Sequence, residues 1–143
     1  MKITTTEFGT FSNGNKALLF TIFNGKMMLC CTNYGCCITG ILLPSKNGGF
    51  DDVVLGYSSF IGYINNFPHF GSFIGRYAGR ISNAEFSLGN QQYLLTPNDG
   101  GKHCLHGGYP FYDKVLYEAK TFKNRQEAGV VFSRTSPDGE QGF

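Results

Sequence analysis

Apolar and polar residues alternate with a period of two along most of this chain, and glycine- or asparagine-rich breaks separate the alternating runs. That pattern sets one face of a strand on a core and the other on solvent. Residues 2–8 (KITTTEF) are polar and β-branched, which predicts an edge strand. Residues 17–24 (ALLFTIFN) and 27–33 (MMLCCTN) flank Asn24-Gly25, a strong hairpin signal. Residues 36–43 (CCITGILL) are largely apolar and predict a buried strand, 44–50 a loop and 53–55 a short strand. Residues 58–65 are the one helical stretch, with Ser58 or Ser59 as its N-cap and Pro68 as its stop. Phe86 and Leu88, then Tyr93 and Leu95, alternate about Gly89-Asn90 and predict a second hairpin, whose turn takes positive dihedrals at both residues. Residues 114–122 and 128–134 are the last alternating runs, the latter buried in character.

Strands without long helical runs make the fold all-β, an antiparallel β-sandwich, and nothing divides residues 1–143 into more than one domain. The 14 Phe and 8 Tyr favour strands further, and the 20 glycines supply turns. The strand at 130–134 is followed by TSPDGEQGF, a turn signal that ought to launch another strand. The chain therefore reads as the first part of a longer fold, with a sheet edge left unpaired.

Charge and cysteine usage narrow the function. A net charge of +2, with Lys and Arg dispersed, speaks against a nucleic-acid surface. MKITTTEFGT has no apolar signal core and no run reaches the length of a membrane span, so the expected location is the cytoplasm. Cys30-Cys31 and Cys36-Cys37 form a CC-x4-CC pattern. Neighbours on a strand point to opposite faces, so each pair reads as structural thiols rather than as a metal site.

The candidate chemistry lies in residues 71–108, where GRYAGRI is followed by a hairpin and then by a histidine before paired glycines. Arg80 brings a permanent, forked cation and His106 a side chain that moves protons near neutrality. The hairpin between them would return both to one end of a sheet. Arg76 stays open between an ion pair or strand-end contact and a ligand role. A zinc set of His103, Cys104 and His106 lacks a fourth ligand. Glu85, Asp99, Asp113, Asp138 and Glu140 are the carboxylates nearby, and Asp beside Gly or Pro commonly serves a turn. The spacing of Gly71, Gly75 and Gly79 has no Gly-Lys-Ser/Thr after it, so it marks close backbone packing rather than a phosphate loop.

DVVLGY at 52–57, GRYAGRI at 75–81, the F-x-L-G-N-x-x-Y-x-L hairpin, LHGG at 105–108 and SPDGEQGF at 136–143 resemble the aldose 1-epimerase (galactose mutarotase) family in its order, as does NYGCCITGILLPSKNG near the start. The resemblance implies a galactose mutarotase-like supersandwich, here its N-terminal portion, with an open sugar groove. It implies interconversion of the α and β anomers of aldohexoses without a cofactor or metal. A carboxylate takes the anomeric hydroxyl proton while an imidazolium gives one to the ring oxygen. Arg80 and His106 match the family's sugar-contacting residues. Gly79 stands where asparagine is common and offers only backbone, and Tyr117 stands for a tryptophan. One extra residue lies near Gly100-Gly101. The family's acid histidine and base glutamate lie after SPDGEQGF, and neither His69 nor His103 matches that acid. Three functions follow: part of an aldose 1-epimerase, a non-catalytic carbohydrate-binding relic or module, or an interaction protein whose open sheet edge pairs with another chain. The expected partners are an aldohexose and, through self-association or pairing, a second copy or a missing C-terminal half.

Overall fold

Alternation yields a five-stranded antiparallel sheet in the first of two units of the computed structural model, which describes all residues, Met1–Phe143. This unit takes in Met1–Ser72 and Leu116–Arg134. Its strands β1 (Lys2–Thr10), β2 (Lys16–Phe23), β3 (Met28–Thr32), β4 (Ile38–Pro44) and β5 (Phe50–Asp52) lie in sequence order. The β1 strand is an edge, as its polar pattern predicts. At the Asn24-Gly25 turn the Asn24 side-chain oxygen accepts the Lys26 and Met27 N–H groups at 2.9 and 2.8 Å. Local side-chain bonding of this kind is why asparagine favours turns.

Four expectations need correction. The strand expected at 36–43 starts at Ile38, because Cys36 turns into a positive φ of 49°. It is half-buried rather than buried, with Ile38 and Leu43 exposed. The short strand expected at 53–55 is instead β5, because β4 runs on through Pro44 and pairs Pro44 with Phe50 across a tight loop. The helix α1 is only Phe60–Ile64, and the Ser59 side chain makes no cap bond. Two aromatic residues, Phe60 and Tyr63, anchor it by burial.

The unit is completed by a separate hairpin, Glu118–Lys123 with Ala128–Ser133. Its core is Ala17, Tyr34, Cys37, Phe60 and Tyr63. The Phe60 ring meets Phe8, Phe11 and Tyr34 edge-on at centroid distances of 5.8, 5.0 and 5.7 Å, a favoured aromatic geometry.

The second unit takes in Phe73–Val115 and Thr135–Phe143. It has little ladder: β6 (Arg80–Ile81) pairs with β9 (Cys104–Leu105), and β7 (Glu85–Leu88) with β8 (Gln91–Leu94). The β7–β8 hairpin lies where the alternation places it, and Phe86 stacks on its cross-strand partner Tyr93 at 4.9 Å. Only Gly89 takes positive φ in its turn, not Asn90 as well, which fits a turn with glycine at its first central position. Ala84, Leu95 and Cys104 form the buried core, flanked by Ile81, Phe86 and Phe143.

The run expected as a strand from 114 begins later. Tyr112–Lys114 is a helical turn, and β10 (Glu118–Lys123) pairs with β11 (Ala128–Ser133). Burial of the last strand is partial, since Val131 is exposed. Tyr117 is buried in the first unit, its N–H donating to the Asn33 carbonyl at 2.9 Å. Of the three spaced glycines, Gly71 packs closely against backbone, Gly75 against a side-chain ring and Gly79 against neither. A Cβ on Gly71 would lie 2.0 Å from the Ile38 carbonyl oxygen, and one on Gly75 would lie 2.5 Å from the Tyr112 ring. Gly79 instead has open space and a φ of 95°.

Candidate functional site

The β6–β9 pair sets Arg80 opposite Leu105, so the last residues of GRYAGRI lie beside the histidine of LHGG. One step out, Gly79 and His106 bond reciprocally. The His106 N–H donates to the Gly79 carbonyl at 2.9 Å, and the Gly79 N–H donates to His106 Nδ1 at 3.1 Å. His106 itself has φ 55°, uncommon for a residue with a side chain, and Gly107 and Gly108 continue at 82° and 91°. An imidazole that accepts at Nδ1 carries its hydrogen on Nε2 when neutral. His103 is held in the same way, its Nδ1 accepting the Asn83 N–H at 3.2 Å.

Arg80 is mostly exposed, and its Nε donates to Asp99 Oδ2 at 2.6 Å. Asp99 lies in a closed turn in which it and His103 exchange backbone bonds of 2.9 and 3.0 Å. Asn98, beside it, works as a substitute strand neighbour for Leu105. Its Oδ1 accepts the Leu105 N–H at 2.7 Å and its Nδ2 donates to the Leu105 carbonyl at 3.0 Å.

Arg76 is engaged elsewhere. Its guanidinium donates to Ser136 Oγ at 3.0 and 2.8 Å and to the Pro137 carbonyl at 2.5 Å, and lies over the Phe143 ring at 5.4 Å. Ser136 in turn donates to Glu140 and accepts from the Tyr112 hydroxyl. The remaining carboxylates are likewise accounted for. Glu85 accepts from Gln92 at 2.9 Å across the hairpin. Asp113 is buried with the Lys114 ammonium at 3.8 Å, and Asp138 precedes a turn at Gly139 with φ 75°.

Gln141 joins all three motifs of this unit. Its Nε2 faces the carbonyls of Gly75, Gly108 and Pro110 at 3.1, 3.4 and 2.9 Å, and its Oε1 accepts the Arg76 N–H at 2.9 Å. Neither Asn98 nor Gln141 stands out in the sequence. Asn98 carries a turn signal, next to Asp-Gly, but nothing in periodicity marks an amide that reaches across the chain.

The five cysteines are free. Burial, with the neighbouring Cys37 and Cys31 thiols, pushes Cys36 up to about 12, and burial with Cys30 pushes Cys31 up to about 11. Burial also raises Cys104. Such thiols stay protonated and unreactive. No group of three or more His, Cys, Asp or Glu side chains is arranged to hold a metal ion.

The family model described as aldose 1-epimerase matches residues 19–143. The chain belongs to the aldose 1-epimerase family. Galactose mutarotase of Rattus norvegicus is 35% identical over 144 residues, which is all of this chain and 41% of the rat protein. Aldose 1-epimerase of Escherichia coli is 31% identical over 84% of this chain and 34% of that protein. The chain thus spans about two fifths of the length of these epimerase relatives. Among solved structures, galactose 1-epimerase from Lactobacillus acidophilus shares the fold at a TM-score of 0.83 and 24% identity, over 96% of this chain and 40% of that one. An aldose epimerase homologue from C. elegans follows at 0.75 and 27%, over 87% and 37%. The all-β sandwich class of these epimerases is therefore the class of this chain.

Proposed function

We propose that this chain carries the sugar-binding part of an aldose 1-epimerase, an isomerase that interconverts the α and β anomers of aldohexoses such as glucose and galactose. Family membership supports the reaction, and one observation supports the site: the reciprocal bonding of Gly79 and His106. With Nδ1 accepting a backbone N–H, neutral His106 carries its hydrogen on Nε2. Sugar hydroxyls and the ring oxygen are acceptors of that kind, so His106 binds and orients. Arg80, tethered through Nε, offers its terminal nitrogens to neighbouring hydroxyls. Gly79 acts through its backbone, by holding His106.

Ring opening requires one group to take the anomeric proton and another to give one to the ring oxygen. We assign both, the family's glutamate and acid histidine, to polypeptide beyond residues 1–143, and the reaction to no cofactor. We place the protein in the cytoplasm, where a reducing milieu keeps thiols free. Exposed Leu55, Phe67, Leu88 and Leu94 support pairing with the polypeptide that completes the sandwich, or self-association without it.

Polarimetry on freshly dissolved α-D-glucose tests the assignment. The chain alone is expected to leave the rate at background, because each missing acid or base is worth roughly 100- to 10,000-fold. Joined to the remainder of the rat mutarotase it is expected to give catalysis that falls strongly with His106→Asn. A protein-dependent rate from the chain alone, lost with His106→Ala, would overturn the division of roles. Sugar binding without turnover in the joined protein would favour the carbohydrate-binding relic.

A further inference from the structure

Arg80 and Asp99 meet by one hydrogen bond where their shapes allow two. A guanidinium and a carboxylate frequently pair through two parallel bonds. Here the Arg80 Nε donates to Asp99 Oδ2 at 2.6 Å, and no second bond joins them. The terminal nitrogens of Arg80 donate to nothing in the chain, and Asp99 Oδ1 accepts nothing from it. Covalent geometry keeps Oδ1 within one carboxylate of Oδ2, and the terminal nitrogens within one guanidinium of Nε. An open charged acceptor and open charged donors therefore stand side by side. The Asp99 and Arg80 side chains are 28% and 65% exposed, so both reach solvent.

The backbone beneath the pair is built. The Asp99 N–H donates to the His103 carbonyl at 2.9 Å, and the Asp99 carbonyl accepts the Lys102 and His103 N–H groups at 3.2 and 3.0 Å. Gly100 and Gly101 close this turn at φ 61° and 68°, consecutive left-handed positions that glycine takes readily. Asn98, just before, bonds the Leu105 backbone, and Leu105 is the ladder partner of Arg80. Both roots are thereby fixed to Leu105. An exposed ion pair adds little to stability, whereas a pair on fixed roots holds its unused atoms in a constant place.

We propose that Asp99 is a sugar-contacting residue, its Oδ1 accepting one hydroxyl of the sugar while an Arg80 terminal nitrogen donates to the neighbouring hydroxyl. The pair takes a vicinal diol, one hydroxyl through its hydrogen and the next through its oxygen. A hydroxyl can play either part, and a sugar ring holds neighbouring hydroxyls at a set spacing. The bond to an ionised carboxylate is the stronger kind. The inference rests on the function proposed above, which puts Arg80 at the sugar; what it adds is that Asp99 binds the sugar as well as tethering Arg80.

The test is titration of the labelled full chain with D-galactose and with its deoxy and deoxyfluoro analogues at each non-anomeric hydroxyl. NMR follows Arg80, His106 and the Asp99 carboxylate carbon. Fluorine accepts weakly and cannot donate, so it separates the two parts a hydroxyl can play. At one position fluorination should cost about tenfold or more in affinity and bind no better than the deoxy sugar, because a hydrogen given to a charged acceptor is lost. A neighbouring position should tolerate fluorine better than deoxygenation, because its oxygen accepts from Arg80. Asp99→Ala should weaken galactose and erase the first penalty, bringing galactose and that fluoro sugar within about twofold of each other. Uniform weakening of every sugar by Asp99→Ala, with the fluorination penalties intact, makes Asp99 a tether for Arg80 alone and overturns the proposal. Should that variant not fold, the wild type decides. Galactose should move the Asp99 carboxylate carbon and the marked fluoro sugar should not; an Asp99 carbon unmoved by galactose while Arg80 and His106 shift overturns the proposal and leaves the sugar site standing. Galactose that shifts none of the three overturns the sugar site itself, and Asp99 with it.

Discussion

The two units of this chain hold themselves together by different means. In the first, a continuous antiparallel ladder carries the backbone bonds and a cluster of rings fills the core. Side-chain amides appear only at its corners, as where Asn33 accepts the Leu18 N–H at 2.7 Å. In the second, strands two to four residues long leave most backbone groups without a ladder partner, and Asn98 and Gln141 supply what is missing. Four of the six non-glycine residues with positive φ, namely Asn83, Ala84, His106 and Gln141, belong to the second unit. A sheet repeats one conformation and so presents side chains at fixed spacing. A loop cage can aim a single imidazole, and it depends on polar contacts to do so.

The contrast can be broken in order of expected effect. Phe60→Ala should be the most damaging change, roughly 3–5 kcal/mol of stability, because it empties an aromatic core with nothing to refill it. A denaturant melt would measure it, and a loss below that of any polar truncation in the second unit would break the contrast. Asn98→Ala should come next, at about 1–3 kcal/mol, since it strands the N–H of Leu105, whose carbonyl keeps only the Gly108 N–H at 3.1 Å. Faster exchange of the Leu105 amide, with the Thr21 and Cys30 ladder unchanged, would confine the effect to the second unit.

The thiols sharpen the contrast through pH. Burial holds the Cys31 and Cys36 thiols above their ordinary value of 9.0, at about 11 and about 12. The folded chain then keeps protons that the unfolded chain releases, so this contribution is complete below pH 9 and is lost as pH rises toward 11 and 12. The melting temperature should decline over that interval, and replacing Cys31 and Cys36 by alanine should flatten the decline. Asp99→Asn should have the smallest effect on stability. The Arg80 pair is exposed and worth no more than about 1 kcal/mol. If Arg80 contacts the sugar as proposed, Asp99→Asn should lower sugar affinity, read by calorimetric titration, because the fork loses its tether.

Legibility in the sequence follows the same division. Alternation and the Asn24-Gly25 signal locate β1, β2 and β3 within a residue or two, because a half-buried strand imposes a period on its own side chains. The β7–β8 hairpin is legible for the same reason. The position of β5 is not, since which three residues pair is decided by β4 extending through Pro44. Arg80, Gly79 and His106 are legible as motif residues, and their adjacency follows from the hairpin between them. The Asp99 tether, the hydrogen on His106 Nε2 and the Gln141 amide are contacts between residues 19 to 66 positions apart. No local pattern encodes them.

The central claim is that His106, with Arg80 and Gly79, is the sugar-facing surface of this chain. Titrating the labelled chain with D-galactose, while following the His106 imidazole, the Gly79 amide and the Arg80 and Arg76 guanidinium signals, tests it directly. Saturable shifts should appear at His106, Gly79 and Arg80 at one common affinity, with Arg76 unmoved in its contacts to Ser136 and Pro137. Shifts centred on Arg76 and Phe143, with His106 silent at saturation, would contradict it.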